Sequence, residues 1–285
     1  MKKAWTDSDI QEAVKCARTC AGSDDHDGTF QRMAAEVLPK DVDLARILIS
    51  EIDNPEFKIE IQRDLCLYTF DPKDVQGLGA VIGSLKSPGV WPWVYRALWF
   101  FADGQLSKSR AVCQEIDDLV LLVQLRIFFA RHTKSTEDQL LLDQTTRKLQ
   151  AVADESTKEL GEHIGHEFLF IAKSTAPYWV ARLEWLKVSR KARLKRLINV
   201  GMPEMIICNE LYMIASTGEI EFALDAARQN KLALDTENDD YNRSFSIGYS
   251  LRCQTGKARE LAEKIQGPQE RALAFVHLYL ARLNN

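Results

Sequence analysis

Apolar and small residues at Ala45, Leu48, Ile49 and Ile52 recur at i, i+3, i+4 and i+7, the spacing that lays one apolar stripe along an α-helix. Asn54 and Pro55 follow, and they fit the N-cap and first turn of a second helix, which continues through Ile61, Leu65 and Tyr68. One helix therefore stops and another starts within a few residues, and so short a connection predicts an antiparallel hairpin. The phrase returns late in the chain. Ala45, Arg46, Leu48, Ile52 and Pro55 in ARILISEIDNPEFK reappear at the same spacing as Ala258, Arg259, Leu261, Ile265 and Pro268 in ARELAEKIQGPQER, and the helix after this copy runs through Ala274, Leu278 and Ala281.

With the small residue that opens the phrase as a marker, further copies are placed at Leu78, Ser109, Thr146, Ala181 and Ala223, at a mean interval of about 35 residues. The copy at Ser109 keeps Arg110, Val112 and Ile116, and that at Leu78 keeps Val81, Leu85 and Pro88. Alternation at period two is absent, while Ala, Leu, Glu, Lys and Arg dominate, so the fold is expected to be all-α.

Gly104 precedes Ser109 by five residues and Gly218 precedes Ala223 by five. This resembles the glycine-to-alanine spacing between the two helices of a tetratricopeptide repeat, whose period is about 34 residues. The bulky positions match in part: that family's tryptophan, leucine-glycine and tyrosine do not occur in order, and Pro55 lies two residues earlier than its proline would. Over residues 40 to 285 the chain thus resembles a divergent tetratricopeptide-like α-solenoid. The resemblance implies a right-handed superhelical stack of about seven antiparallel hairpins, with a concave face built mainly from the first helices. Residues 1–40 are expected as N-terminal capping helices with a turn at SDDHDG (23–28), and residues 41–285 as one continuous repeat domain. DTENDD (235–240) is expected as an acidic turn between the last two hairpins.

Charge changes the picture at one place. The chain of 285 residues carries a formal net charge of −4, which argues against general attraction to nucleic acid or anionic membranes. Yet RLEWLKVSRKARLKR, residues 182–196, sets seven basic residues against one acidic. Leu183, Leu186, Leu194, Leu197 and Ile198 supply a packing stripe there, so Arg190, Lys191, Arg193, Lys195 and Arg196 are expected to project to solvent or an inner groove. Such a helix grips an acidic peptide, a phosphate or a nucleic-acid backbone, or pairs with acidic neighbours in adjacent repeats; one helix supplies few phosphate contacts, so nucleic acid is not the expected partner. A second concentration, WPWVYRALWFF (91–101), holds three of the six tryptophans; large aromatics at this spacing belong in a core, and Trp91 with Tyr95 is the pair assigned to partner contact.

Other constellations fall short of chemistry. GLGAVIG (77–83) is similar to a dinucleotide loop but lacks a strand before it; Asp71 and Pro72 read as a helix start, and close helix packing accounts for the glycines. Cys16, Cys20, His26 and the aspartates at 24, 25 and 27 lack a second CxxC, and Ala34 stands where an EF-hand needs its bidentate glutamate, so no metal is expected. His163 and His166 in GEHIGHEF are not in HExxH order, though they mark where a helical enzyme would place its site. The six cysteines read as reduced thiols. No cofactor motif is found.

No apolar run approaches the roughly 20 residues that span a bilayer, and MKKAWTDSDIQEAVK lacks a signal-peptide core. The expectation is therefore a non-enzymatic cytoplasmic adaptor, regulator or chaperone that binds a protein or peptide, with signal-peptide-independent secretion as a bacterial effector an alternative setting. ERALAFVHLYLARL carries apolar residues on more than one helical face, which leaves room for a homodimer through this C-terminal helix.

Overall fold

The computed structural model describes residues 7–160, 164–174 and 176–283. Among them lie sixteen α-helices and no strand. In chain order they are α1 (Ser8–Arg18), α2 (Ser23–Val37), α3 (Val42–Ser50), α4 (Pro55–Thr69), α5 (Pro72–Ser84), α6 (Trp91–Ala102), α7 (Leu106–Val112) and α8 (Leu119–Thr133). There follow α9 (Thr136–Leu160), α10 (Ile164–Lys173), α11 (Tyr178–Asn199), α12 (Glu204–Ala215), α13 (Ile220–Gln229), α14 (Asp239–Leu251), α15 (Thr255–Lys264) and α16 (Pro268–Leu283). No described helix is long and apolar enough to cross a membrane. The chain divides into two compact units, Met1–Phe57 with Leu186–Asn285, and Lys58–Trp185.

Five of the seven copies of the repeated phrase have a fixed place in these helices, whereas Leu78 is the seventh residue of α5. Ala45, Ser109, Ala181, Ala223 and Ala258 are each the fourth residue of their helix (α3, α7, α11, α13 and α15), and each is buried. A helix begins ten residues after Ala45, Ser109 and Ala258, at Pro55, Leu119 and Pro268. The copy placed at Thr146 falls instead in the body of α9. The buried residues there are Leu142, Thr145 and Leu149, and Leu142 lies as far after Leu78 as Ser109 lies after Ala45. SDDHDG is not a turn either: Gly22, at φ 102°, reverses the chain, and Ser23, Asp24 and Asp25 form the acidic first turn of α2, where the helix dipole favours them. Of DTENDD, residues 235–238 lie between α13 and α14, while Asp239 and Asp240 open α14, which Asn238 caps by accepting from the Asp240 N–H at 2.7 Å.

In the first unit α16 packs against α1, α2, α14 and α15, and every residue from Ala272 to Ala281 is buried. From Ala272 to Ala281 the apolar faces expected to be left for a second copy are therefore covered within the chain, while Leu283 is exposed. Charges secure α1 to the later helices: Arg259 Nη2 meets Asp9 at 2.5 Å, Arg271 Nη2 meets Glu12 at 3.2 Å, and Arg282 pairs with both Asp7 and Asp9. Two carboxylates support the turns before the proline-led helices. Asp27 on α2 accepts from the N–H of Asn54 (2.8 Å) and Asp53 (3.3 Å) ahead of α4, and Asp239 on α14 accepts from Gly267 (2.6 Å) and Gln266 (3.0 Å) ahead of α16.

The second unit repeats a turn of its own. Thr69 at the end of α4 donates to Asp74 on α5 at 2.7 Å, and Thr133 at the end of α8 donates to Asp138 on α9 at 2.7 Å, with left-handed residues Phe70 and Lys134 between. Arg110 adds two hydrogen bonds to Asp138 at 2.8 Å. The glycines of GLGAVIG sit inside helix α5. A Cβ on Gly77 would meet the Gln62 amide at 2.9 Å and one on Gly79 the Tyr95 ring at 2.9 Å, so these glycines admit close neighbours from α4 and α6. Phe101 stacks on Phe129 with ring centroids 4.1 Å apart at the centre of this core.

Candidate functional site

The basic segment occupies the second half of α11, which lies in the first unit from Leu186 onward. Leu194 is buried against a core that includes Ile207, Leu211, Ile214 and Ala223, with Leu197 and Ile198 packed on its edge. That anchorage fixes where the cations point. Arg190 donates to both oxygens of Glu210 at 3.3 Å, and Arg193 Nε reaches the same carboxylate at 3.4 Å. Glu210, on α12, is buried, so two guanidinium groups offset the cost of taking its charge out of water.

Lys191 meets Glu219 at 2.7 Å and lies 4.7 Å from the ring centroid of Phe222. The hydrogen bond from Lys191 holds the Glu219 carboxyl below its usual value, against the opposing effect of burial. Lys195 and Arg196 are exposed. Between α11 and α13 runs an open groove of about 670 Å³. One wall carries Lys191, Leu194, Lys195 and Ile198, and the other Phe222, Asp225, Ala226 and Gln229. Phe222 is 38% exposed, unusual for so large an apolar ring, while Asp225 is paired with Arg228 at 2.7 Å.

The five cations singled out by sequence thus share one helix but divide in role: Arg190 and Arg193 hold a buried carboxylate, Lys191 holds Glu219 beside the groove, Lys195 lines the groove in the open, and Arg196 is exposed outside its lining. The residues that sequence reasoning did not name are Glu210, Glu219 and Phe222. They belong to the next two helices, and nothing in the local charge pattern ties them to α11.

Trp91 and Tyr95 lie in the second unit, on α6, both half-buried. The Arg63 guanidinium sits 5.8 Å over the Trp91 ring, and Tyr95 packs against Gly79 and lies 6.1 Å from Trp99. Both rings pack on the core of that unit. His163 lies outside the described residues, and His166 is half-buried on α10. At the suggested metal ligands, His26 Nδ1 bonds Asp27 at 3.0 Å and Cys16 Sγ lies 3.7 Å from Glu12; no group of three or more His, Cys, Asp or Glu among the described residues is arranged to hold a metal ion.

The second unit also gathers Arg63, Asp64, Glu167, Tyr178 and Arg182. Arg63 bonds Asp64 at 2.7 Å and Arg182 bonds Glu167 at 2.8 Å, with burial pushing the Tyr178 phenol well above its usual value. Each arginine has its own carboxylate. The α11–α13 groove has room for an occupant. No protein-family model matches the chain, nor does any curated protein or solved structure.

Proposed function

We propose that this chain is a non-enzymatic cytoplasmic adaptor, regulator or chaperone, a tetratricopeptide-like stack of about seven helical hairpins that binds a peptide or protein segment in the groove between α11 and α13. The observation that carries the reading is the exposed Phe222 ring beside Lys191 and Lys195 in an open groove of about 670 Å³. An aromatic anchor next to charges that fix orientation is the usual composition of a binding hot spot. Arg190 and Arg193 support the groove from behind through Glu210, and Trp91 and Tyr95 serve the core of the other unit.

The test is positional. A photoreactive amino acid is placed at Phe222 or, as control, at Val152, which is 49% exposed in the other unit, and the full chain is irradiated in lysate. A defined protein adduct from position 222 and none from 152 is the expected result. Equal labelling from both, or none from 222, would remove the groove from function. Charge reversal at Arg190 and Arg193 is a poor probe, because it would set like charges against buried Glu210 and unfold the region.

A further inference from the structure

The shape and charge of the groove specify its occupant, an inference that rests on the peptide-binding reading above. Lys191, Leu194, Lys195 and Ile198 stand at i, i+3, i+4 and i+7 on α11, and Phe222, Asp225, Ala226 and Gln229 stand at i, i+3, i+4 and i+7 on α13. Each wall is therefore a helical stripe of two turns, about 10 Å long at 1.5 Å per residue. Walls made mainly of helix side chains offer no ladder of backbone N–H and C=O groups for an extended peptide to pair with along its length. A helix satisfies its own backbone and can seat a ridge of side chains between the two stripes.

The walls differ in charge. On the α11 wall the two ammonium groups of Lys191 and Lys195 are one turn apart, Lys191 already bonded to Glu219, whereas on the α13 wall the carboxylate that lines the groove, Asp225, is engaged by Arg228 beside Gln229 and Asn230. We propose that the groove takes a short amphipathic helix of a partner protein, two to three turns long, with an apolar ridge over Phe222, Leu194 and Ile198 and carboxylates one turn apart along the edge that faces Lys191 and Lys195. Its carboxylates share Lys191 with Glu219 and meet Lys195 directly. The edge toward α13 is uncharged and polar.

A displayed library of random peptides, selected against the full chain, tests this. Enriched peptides should carry apolar residues at i, i+3 or i+4, and i+7, with Asp or Glu one turn apart on one flank. Their affinity should fall roughly tenfold or more against Lys195→Glu and against Phe222→Ser, and again when a proline is placed in mid-peptide. Both substitutions alter side chains that are more than a third exposed, and unchanged thermal melting confirms that each variant folds. Enriched peptides that bind both variants as well as wild type would leave peptide binding standing and dismiss the groove. Peptides that are basic, or that tolerate the proline, would overturn the acidic helix as occupant. Enrichment of nothing would overturn both this inference and the reading beneath it.

Discussion

Cys253 adopts φ 57°, in the left-handed region that side chains disfavour, at a turn otherwise built like those of Gly104 (φ 75°) and Gly218 (φ 88°). All three stand five residues before a buried small residue: Ala258, Ser109 and Ala223. The Cys253 and Gly104 turns share even their hydrogen bonds, with Gln254 N–H to Tyr249 and Gln105 N–H to Phe100 closing the preceding helix. Sequence showed the spacing at the two glycines and hid it at Cys253, because the backbone conformation repeats while the residue suited to it does not. A left-handed non-glycine costs about 1–2 kcal/mol, and glycine gives back part of that through its freer unfolded chain. Cys253→Gly should therefore stabilise the protein by about 0.5–1 kcal/mol, seen as a higher urea midpoint at unchanged slope; a lower midpoint would mean the thiol makes contacts that outweigh the strain.

Between elements, the repeated phrase was legible only on its own helices. Ala45 and Ala258, Ile52 and Ile265, and the helix-starting Pro55 and Pro268 could be aligned by eye, since burial and helix initiation constrain the residue type. The carboxylates that hold the turns before those prolines, Asp27 and Asp239, sit on the preceding helix, 26–28 residues upstream, where any acidic residue looks like surface. The groove shares this difficulty: the basic face of α11 could be read from charge alone, while Glu210 and Glu219, which decide what each cation does, come from later helices. Ser23–Gly28 is helical although its composition suggests a turn, because the Ser, Asp and Gly residues that open a helix also make turns. Loss of the shared turn support should be costly. Asp239→Ala and Asp27→Ala are each expected to lower stability by about 1–3 kcal/mol, measured by chemical denaturation; a loss confined to a few tenths would show that water replaces the carboxylate at these turns.

Across the whole molecule the helical class could be read from periodicity, but the covering of α16 could not, because α1 reaches it from some 250 positions away in sequence. One buried group in that contact makes a pH prediction. Burial pushes the His277 imidazole of α16 below its usual value, against the opposing pull of Glu36 on α2, so the ring is neutral in the fold. The unfolded chain takes up the proton below about pH 6.5. The stability this contributes is complete above that pH and is lost as pH falls toward the depressed folded value. His277→Gln should flatten the decline in unfolding free energy between pH 7.5 and pH 5.5; an unchanged slope would assign the decline to other groups. The contact between α1 and α16 also sets a schedule for synthesis. Helix α1 is 11 residues long, too short to be stable alone, and α16 begins 250 residues after α1 ends. At about 5–20 residues per second, a nascent chain carries Ile10, Ala13, Val14 and Ala17 without their final partner for roughly 12–50 seconds, an interval in which a ribosome-associated chaperone has time to hold them.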